Sequence, residues 1–123
     1  MEKLEYERRK HKRIRTNYLA DIYLYSYFSP KFLTKGVITD LSISGIKIEA
    51  HSSIKDVDLL ITFTLPGDEK FYNIRGRVIR DIKESFTHIY GIKFVDMKFK
   101  DKLKIWIYIL KHTKISSDSQ NTK

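Results

Sequence analysis

Three polar or small residues between two apolar runs have the types and spacing to bind a small polar ligand. Asp40 and Ser42 are two positions apart, so in an extended chain their side chains point to the same side. Gly45 follows three positions later, where it can adopt a positive φ or let a ligand approach the backbone. The stretch therefore predicts a corner that offers a carboxylate, a hydroxyl and open backbone. Taken alone, it also fits an Asx or Ser turn that only closes a hairpin.

A basic segment upstream contains two arginines whose spacing suits one compact anion. The first 15 residues carry seven Lys or Arg and three Glu, a net charge of +4. Arg9 and Arg13 are four residues apart, so their forked guanidinium groups can converge on a phosphate or a guanine edge. Arg8 directly precedes this pair. A basic arm that binds nucleic acid by charge alone requires no such spacing, although a solvated charge run is the alternative interpretation.

Composition limits the classes of protein that this chain can represent. With 123 residues, 41% hydrophobic and 13% aromatic, it is long enough for one domain with a modest core. The net charge of +9 predicts an anionic partner. The absence of cysteine excludes disulfides and thiolate metal sites, and it fits a reducing cytoplasm. No apolar stretch approaches the length of a membrane span, and no signal peptide is expected.

Alternating apolar and polar residues predict six strands. They are expected at 18–28, 35–41, 45–50, 59–65, 71–82 and 86–95. In the fifth strand, the residues expected on one side are Tyr72, Ile74, Gly76, Val78 and Arg80, and Gly76 suggests a bend or bulge. Six consecutive strands with short turns favour an all-β fold, a small antiparallel barrel, because closure removes exposed strand edges.

A helix with a wide apolar surface is predicted after the strands. Its core-facing residues are expected to be those at helical spacing, namely Phe99, Leu103, Trp106, Ile107 and Leu110. Asp96 is the expected N-cap, and the helix is expected to cover one barrel mouth. Ile105, Tyr108 and Ile109 widen the apolar surface, which fits packing on two sides or a face offered to a partner. Binding of this basic helix to a membrane surface is a rival interpretation. The predicted organisation is a flexible arm at 1–17, a barrel with helix at 18–113 and a disordered tail at 114–123.

Residues arranged for catalysis are not found in the sequence. The four histidines are scattered without metal-ligand spacing, and neither a phosphate-binding glycine loop nor a serine elbow occurs. Asp56 and Asp58 lie beside Lys55 in an expected loop, where we interpret them as solvated. We therefore predict that the protein is not an enzyme and holds no metal or cofactor.

The two motifs, taken in order, resemble the PilZ domain. That family comprises bacterial receptors for cyclic di-GMP, and its signature is RxxxR followed by [D/N]xSxxG. Here these are Arg9-x-x-x-Arg13 and Asp40-x-Ser42-x-x-Gly45. The segments 75–78 and 90–96 also agree with the family, and the resemblance spans roughly residues 7 to 112. It implies a six-stranded antiparallel barrel flanked by a C-terminal helix. Lys12 stands where many members carry proline.

The resemblance also implies roles for the motif residues. Cyclic di-GMP carries two phosphodiester charges and two guanines with acceptors on their Hoogsteen edges. Arg9 and Arg13 would supply forked donors to a guanine edge and a phosphate. Asp40 would accept from a guanine N–H, Ser42 would hydrogen-bond the ligand, and Gly45 would leave room for it.

Ligand stoichiometry and signalling follow from the same resemblance. Arg8 adds a cation beside the paired arginines, which favours a mutually intercalated pair of cyclic di-GMP molecules over a single one. Because the two motifs lie on different segments, binding is expected to fold the arm onto the barrel and to signal to an unidentified downstream protein.

Two other interpretations fit parts of the sequence. A small basic β-barrel could bind RNA or single-stranded DNA, with Tyr23, Tyr25 and Tyr27 as stacking platforms. Such a protein would not require the motif corner, and the carboxylate of Asp40 would repel a phosphate backbone, so no nucleic acid is expected as the partner. The same fold could also serve as an adaptor that binds only protein.

Overall fold

The computed structural model describes residues 13–26, 28–67 and 69–121, with side chains as far as residue 112. Within these residues, six strands are followed by one helix. The elements are β1 Ile14–Leu24, β2 Lys31–Leu41, β3 Gly45–Ala50, β4 Asp58–Leu65, β5 Glu69–Glu84, β6 Thr87–Phe94 and α1 Phe99–Asn121. No helix in this part of the chain is long and apolar enough to cross a bilayer.

The strands form one closed antiparallel barrel in the order β1-β2-β3-β6-β5-β4. Closure comes from β1, which pairs with β2 on one side and with β4 on the other. The barrel also contains a pairing between β3 and β6, two strands that are not consecutive in the chain. The predicted all-β barrel with one flanking C-terminal helix is therefore confirmed.

Alternating residues of the strands fill the barrel. Leu59, Ile61, Phe63 and Leu65 of β4 are all buried, as their period of two predicts. Tyr90 of β6 is also fully buried, and its hydroxyl accepts the backbone N–H of Ile54 at 2.6 Å. The same hydroxyl donates to the carbonyl of Ser52 at 3.2 Å. The buried Tyr90 phenol thus helps to fix the 51–57 loop to the barrel through two hydrogen bonds.

A bulge in β5 overturns one predicted alternation. Ile61 pairs with Ile74 and Phe63 with Phe71, so β5 has one residue more than β4 in this interval. Asn73 has a φ of 50°, and its N–H donates to Thr62 Oγ1 at 3.0 Å. Phe71 consequently enters the core, whereas Tyr72 is 64% exposed. The prediction that Tyr72 and Ile74 share one side is wrong for this reason.

Gly76 does not mark a bulge, contrary to the prediction. Its pairing with Leu59 and Phe94 is regular. A Cβ at Gly76 would lie 2.5 Å from Ile92 Cγ2, so glycine is required there by packing inside the barrel. A second bulge in β5 lies further on, because Val78 pairs with Ile92 while Arg80 pairs with Gly91.

Two strands begin four residues earlier than predicted. β1 starts at Ile14 and ends at Leu24, so residues 14–17 belong to the barrel and Phe28 lies outside the strand, fully exposed. β2 starts at Lys31 rather than at 35. The reason is long-range pairing, since Ile14 lies opposite Leu41 and Leu24 lies opposite Lys31.

The helix packs on the barrel with the face opposite to the predicted one. Ile105 and Ile109 are buried in the core cluster, and the hydroxyls of Tyr108 and Tyr18 of β1 hydrogen-bond to each other. The residues predicted to face the core are instead 38–77% exposed, namely Phe99, Leu103, Trp106, Ile107 and Leu110. The helix has two apolar stripes, and periodicity does not show which of them meets the barrel.

Both ends of the helix also differ from the prediction. Asp96 has a φ of 53° and lies three residues before the first helical residue, Phe99, so it is not the N-cap. Its carboxylate lies 3.8 Å from Arg75 Nη1. The helix continues to Asn121, beyond residue 113 where it was predicted to end.

Candidate functional site

A cleft of about 290 Å³ lies on the barrel surface beside the turn between β2 and β3. Four of the six predicted site residues line it, namely Arg13, Asp40, Ser42 and Gly45. Arg8 and Arg9 lie outside the described residues. The fold therefore brings the end of the basic segment and the polar corner to one concave surface, although they are some 30 residues apart in sequence.

Ser42 is the structural centre of this corner. It is only 5% exposed, and its Oγ accepts the backbone N–H groups of Ser44 and Gly45 at 3.3 and 3.1 Å. Its own backbone N–H donates to the carbonyl of Gly45 at 2.9 Å. These bonds satisfy the backbone groups of a tight turn from within. The interpretation of the motif as a Ser turn that closes a hairpin is thus correct for Ser42, and the same turn forms one wall of the cleft.

Gly45 lets β3 and β6 approach each other closely. A Cβ at this position would overlap the carbonyl oxygen of Ile92 and lie 3.3 Å from the Cα of Lys93. Among the described glycines, a positive φ occurs at Gly67 and not at Gly45. Of the two possibilities that the sequence left open for Gly45, a positive φ is therefore excluded, and the restriction on this residue comes from its strand neighbour.

Asp40 lies on the outer surface at the end of β2, where a bulge places it. Ile38 pairs with Ile48 and Asp40 pairs with Lys47, so Thr39 is the extra residue. The Oδ2 of Asp40 lies 3.5 Å from Lys47 Nζ, and both side chains are partly exposed. Such an ion pair is worth little in water. The ion pair holds the Asp40 carboxylate at the cleft. The carboxylate can still exchange the Lys47 ammonium group for a hydrogen-bond donor of a ligand.

Arg13 reaches the cleft from the start of β1. Arg15, two residues further, pairs with Asp40 across the β1–β2 ladder, so Arg13 continues the strand past the polar corner. Its side chain is exposed, and it forms no salt bridge with any residue that the structure describes. A cation that has no ion-pair partner in the described part of the chain, at the edge of a cleft, is available to an anionic ligand.

The opposite wall comes from β5 and β6 and was not predicted as part of the site. It contributes Ile79, Arg80 and Lys93. The second bulge of β5 brings Arg80 opposite Gly91. The two residues are in close contact, since a Cβ added at Gly91 would lie 3.2 Å from the Cβ of Arg80. The sequence contains basic residues at these positions. However, the alternation of apolar and polar residues does not reveal where a bulge redirects the side chains.

The electrostatics of the cleft favour an anion. Its described lining includes four basic side chains, those of Arg13, Lys47, Arg80 and Lys93, and the single carboxylate of Asp40. The guanidinium groups can bind phosphate or a base edge in a bidentate way, and the lysines add point charges. Among the described residues, no group of three or more His, Cys, Asp or Glu side chains could hold a metal ion.

Comparisons with known proteins identify the family. Residues 7–111 match the family model of the PilZ domain. The fold is similar to that of Escherichia coli YcgR solved in complex with c-di-GMP, with a TM-score of 0.73, 14% identity, and coverage of 94% of this chain and 50% of that one. The chain therefore belongs to the PilZ domain family.

Two further structures show the same fold. The Bacillus subtilis inhibitor of motility, MotI/DgrA, has a TM-score of 0.67 at 14% identity, with 85% of this chain and 51% of that chain covered. The PilZ domain of Escherichia coli YcgR with c-di-GMP has a TM-score of 0.63 at 12% identity, over 94% and 99% of the two chains. This chain spans about half the length of the YcgR and MotI/DgrA chains. A comparison with curated proteins found no match.

Proposed function

We propose that this protein is a receptor for cyclic di-GMP, which it binds in the basic cleft beside the β2–β3 turn. The observation that carries the proposal is the convergence of Arg13, Asp40, Ser42 and Gly45 in one cleft of a PilZ barrel. The YcgR structures contain c-di-GMP on the same fold. A dinucleotide with two phosphodiester charges matches a lining that has four basic groups and one carboxylate.

The side chains of the cleft divide into two chemical groups. Arg13 and Arg80 lie on different strands and can contact phosphate or a guanine edge. Asp40 is the acceptor for guanine N–H donors, and on binding these donors replace Lys47, whose ammonium group becomes free for phosphate. Ser42 acts through the turn that it builds. Arg8 and Arg9 complete the set of arginines from the N-terminal arm, which folds onto the barrel when the ligand binds and signals to a partner protein.

Nucleic acid is the weaker candidate ligand. Two of the three tyrosines expected to stack on bases are engaged within the protein. Tyr23 packs edge-on against Phe32 with centroids 5.5 Å apart. The guanidinium of Arg75 lies over the Tyr25 ring at 4.3 Å. Tyr27 lies outside the described residues. Neither described ring is free to serve as a stacking platform.

Isothermal titration calorimetry with cyclic di-GMP at low salt tests the proposal. We expect saturable binding that GMP and the linear dinucleotide do not reproduce, and that excess oligonucleotide does not displace. Asp40→Ala should weaken it, while Asp58→Ala should not, because Asp58 pairs with Arg77 outside the cleft. A flat titration with folded protein would refute the proposed ligand. Equal effects of the two Asp variants would refute the proposed site.

A further inference from the structure

The helix α1 exposes an apolar stripe on the side that faces away from the barrel. Phe99, Leu103, Trp106 and Leu110 lie on it, and each is at least 38% exposed. Their spacing of four, three and four residues is that of the a and d positions in a coiled coil. Ile105 and Ile109, on the other side of the helix, already make the contact with the barrel. The stripe is therefore not needed to hold the helix in place.

Lysines flank this stripe on both sides. At 100° per residue, Lys102 lies on one edge and Lys100 on the other, in the positions next to a coiled-coil seam. Asp101, the acidic residue of the first turn, lies on the side towards the barrel. Lys104 is directed to the barrel as well, where its Nζ lies 3.4 Å from Glu69 Oε2. Ile107, which is 41% exposed, also lies at this edge, beside Lys100. Among the described residues of the helix, the charged side chains next to the apolar stripe are thus lysines.

The charge of this border selects between possible occupants. A second copy of the chain would place lysines against lysines, which is unfavourable in a coiled-coil interface. An acidic helix would place carboxylates against them and gain electrostatic complementarity. A bilayer surface would also accept the apolar residues and lysines, so lipid vesicles are the competing occupant in the test below.

We propose that this stripe is the docking seam for a helix of a partner protein, with apolar residues at heptad spacing and Asp or Glu at the flanking positions. The exposed side chains act as knobs in the holes of that helix, and Lys100 and Lys102 set its orientation through ion pairs. The seam ends after Leu110, since the next positions in its spacing, residues 113 and 117, are Thr and Ser. The partner segment therefore needs only about three helical turns, or about 16 Å. The proposal does not depend on the ligand of the cleft.

The single tryptophan of the chain, Trp106, lies in the stripe and reports on its burial. The probe is a synthetic three-heptad peptide with Leu at positions a and d and Glu at e and g. We expect it to shift Trp106 emission to shorter wavelength with saturation. A matched peptide with Lys at e and g should bind at least about tenfold more weakly, a difference of about 1.4 kcal/mol. No shift, or equal binding of both peptides, would overturn the proposal.

Substitutions in the stripe provide a second measurement. Leu103→Gln and Leu110→Gln should each weaken binding of the Glu peptide by about tenfold or more, while circular dichroism shows an intact fold because both residues are exposed. Val57→Gln is the matched control, as Val57 is exposed in the loop before β4. Unchanged binding in both Leu variants, or an equal loss in the Val57 variant, would contradict a docking seam on α1.

The other two occupants are distinguished by separate experiments. Phosphatidylglycerol vesicles that shift Trp106 emission where the Glu peptide does not would overturn the proposal in favour of a membrane surface. Sedimentation equilibrium that shows a dimer lost in Leu103→Gln would overturn it in favour of a second copy. A monomer that binds the Glu peptide but not the vesicles supports it.

Discussion

The Oγ of the buried Ser42 accepts the backbone N–H of Gly45 at 3.1 Å, while the Gly45 carbonyl accepts the backbone N–H of Ser42 at 2.9 Å. Two motif residues therefore bind each other across the turn before any ligand arrives. The serine is required by the turn, and the glycine is required by the close contact with β6. Substitutions at these two positions should affect the stability of the fold together with ligand binding, whereas substitutions of the arginines should affect binding alone.

Ser42→Ala is expected to lower stability by about 1–3 kcal/mol, because it leaves the partly buried N–H groups of Ser44 and Gly45 without their acceptor. Urea denaturation measures this loss. Ser44→Ala is the control, since the Ser44 hydroxyl contacts only the Ser42 hydroxyl among the described side chains, and it should change stability by less than about 0.5 kcal/mol. Similar midpoints for wild type and Ser42→Ala would show that the turn does not depend on this hydroxyl.

Gly45→Ala is expected to destabilise the barrel more than a Gly→Ala substitution at any other described glycine. The new Cβ would overlap the carbonyl oxygen of Ile92, which is part of the backbone and cannot rotate away. Gly67→Ala is the control: Gly67 has a φ of 92° but open space around it, so we expect a cost of about 1–2 kcal/mol. Thermal melts of both variants test this order. A higher melting temperature for Gly45→Ala than for Gly67→Ala would contradict it.

Arg9→Ala, Arg13→Ala and Arg80→Ala are each expected to weaken cyclic di-GMP binding about ten- to a hundredfold, because each deletes charge-assisted hydrogen bonds worth about 1.5–3 kcal/mol. Calorimetry measures the affinities. For Arg13 and Arg80, which are exposed, the melting temperature without ligand should not change. Arg77→Ala, which removes an exposed cation that pairs with Asp58, should bind as wild type does. Wild-type affinity in all three variants would show that these arginines form only a solvated basic surface.

Arg8→Ala is expected to change the number of ligands bound. Two intercalated cyclic di-GMP molecules bring four negative charges into a partly exposed site, which requires more cations than one molecule does. Titration at protein concentrations well above the dissociation constant should therefore show two equivalents for the wild type and one for the variant. Lys10→Ala is the control for the loss of a charge from the same arm. One equivalent for the wild type would count against the intercalated pair.

Stability is expected to decline in the alkaline range through Tyr108. Burial is the largest cause that raises the pKa of the Tyr108 phenol. The hydrogen bond with Tyr18 and the charge of Tyr18 raise this pKa further. Above the unfolded pKa of about 10, the unfolded chain loses this proton while the folded protein keeps it. The unfolded state then binds fewer protons, so the free energy of unfolding falls as the pH rises. Below about pH 10 this contribution is fully present.

Urea midpoints measured between about pH 8 and 11 test this dependence. Tyr108→Phe should flatten the decline, whereas Tyr72→Phe should leave it unchanged, because Tyr72 is exposed on β5. If the two variants declined in parallel with the wild type, the Tyr108–Tyr18 contact would not be the source of the effect.

The fold and the family could be predicted from the sequence because both depend on local features. Strand residues such as Leu59, Ile61 and Phe63 alternate with period two, and this alternation identifies the buried face wherever the register is regular. The two motifs were recognisable from residue types and spacing alone. The family match and the barrel confirm these two predictions. The roles of Arg8, Arg9, Arg13, Asp40, Ser42 and Gly45 in ligand binding remain predictions.

Tertiary structure decided the features that depend on a neighbour distant in sequence. The bulges at Asn73 and Ile79 arise from pairing with β4 and β6, and they determine that Phe71 enters the core and that Arg80 reaches the cleft. Gly45 is restricted by the Ile92 carbonyl of another strand. The helix has two apolar stripes of similar sequence character, and only contact with the barrel determines that Ile105 is buried and Trp106 exposed. Periodicity describes one element at a time, whereas these outcomes depend on the relative position of two elements.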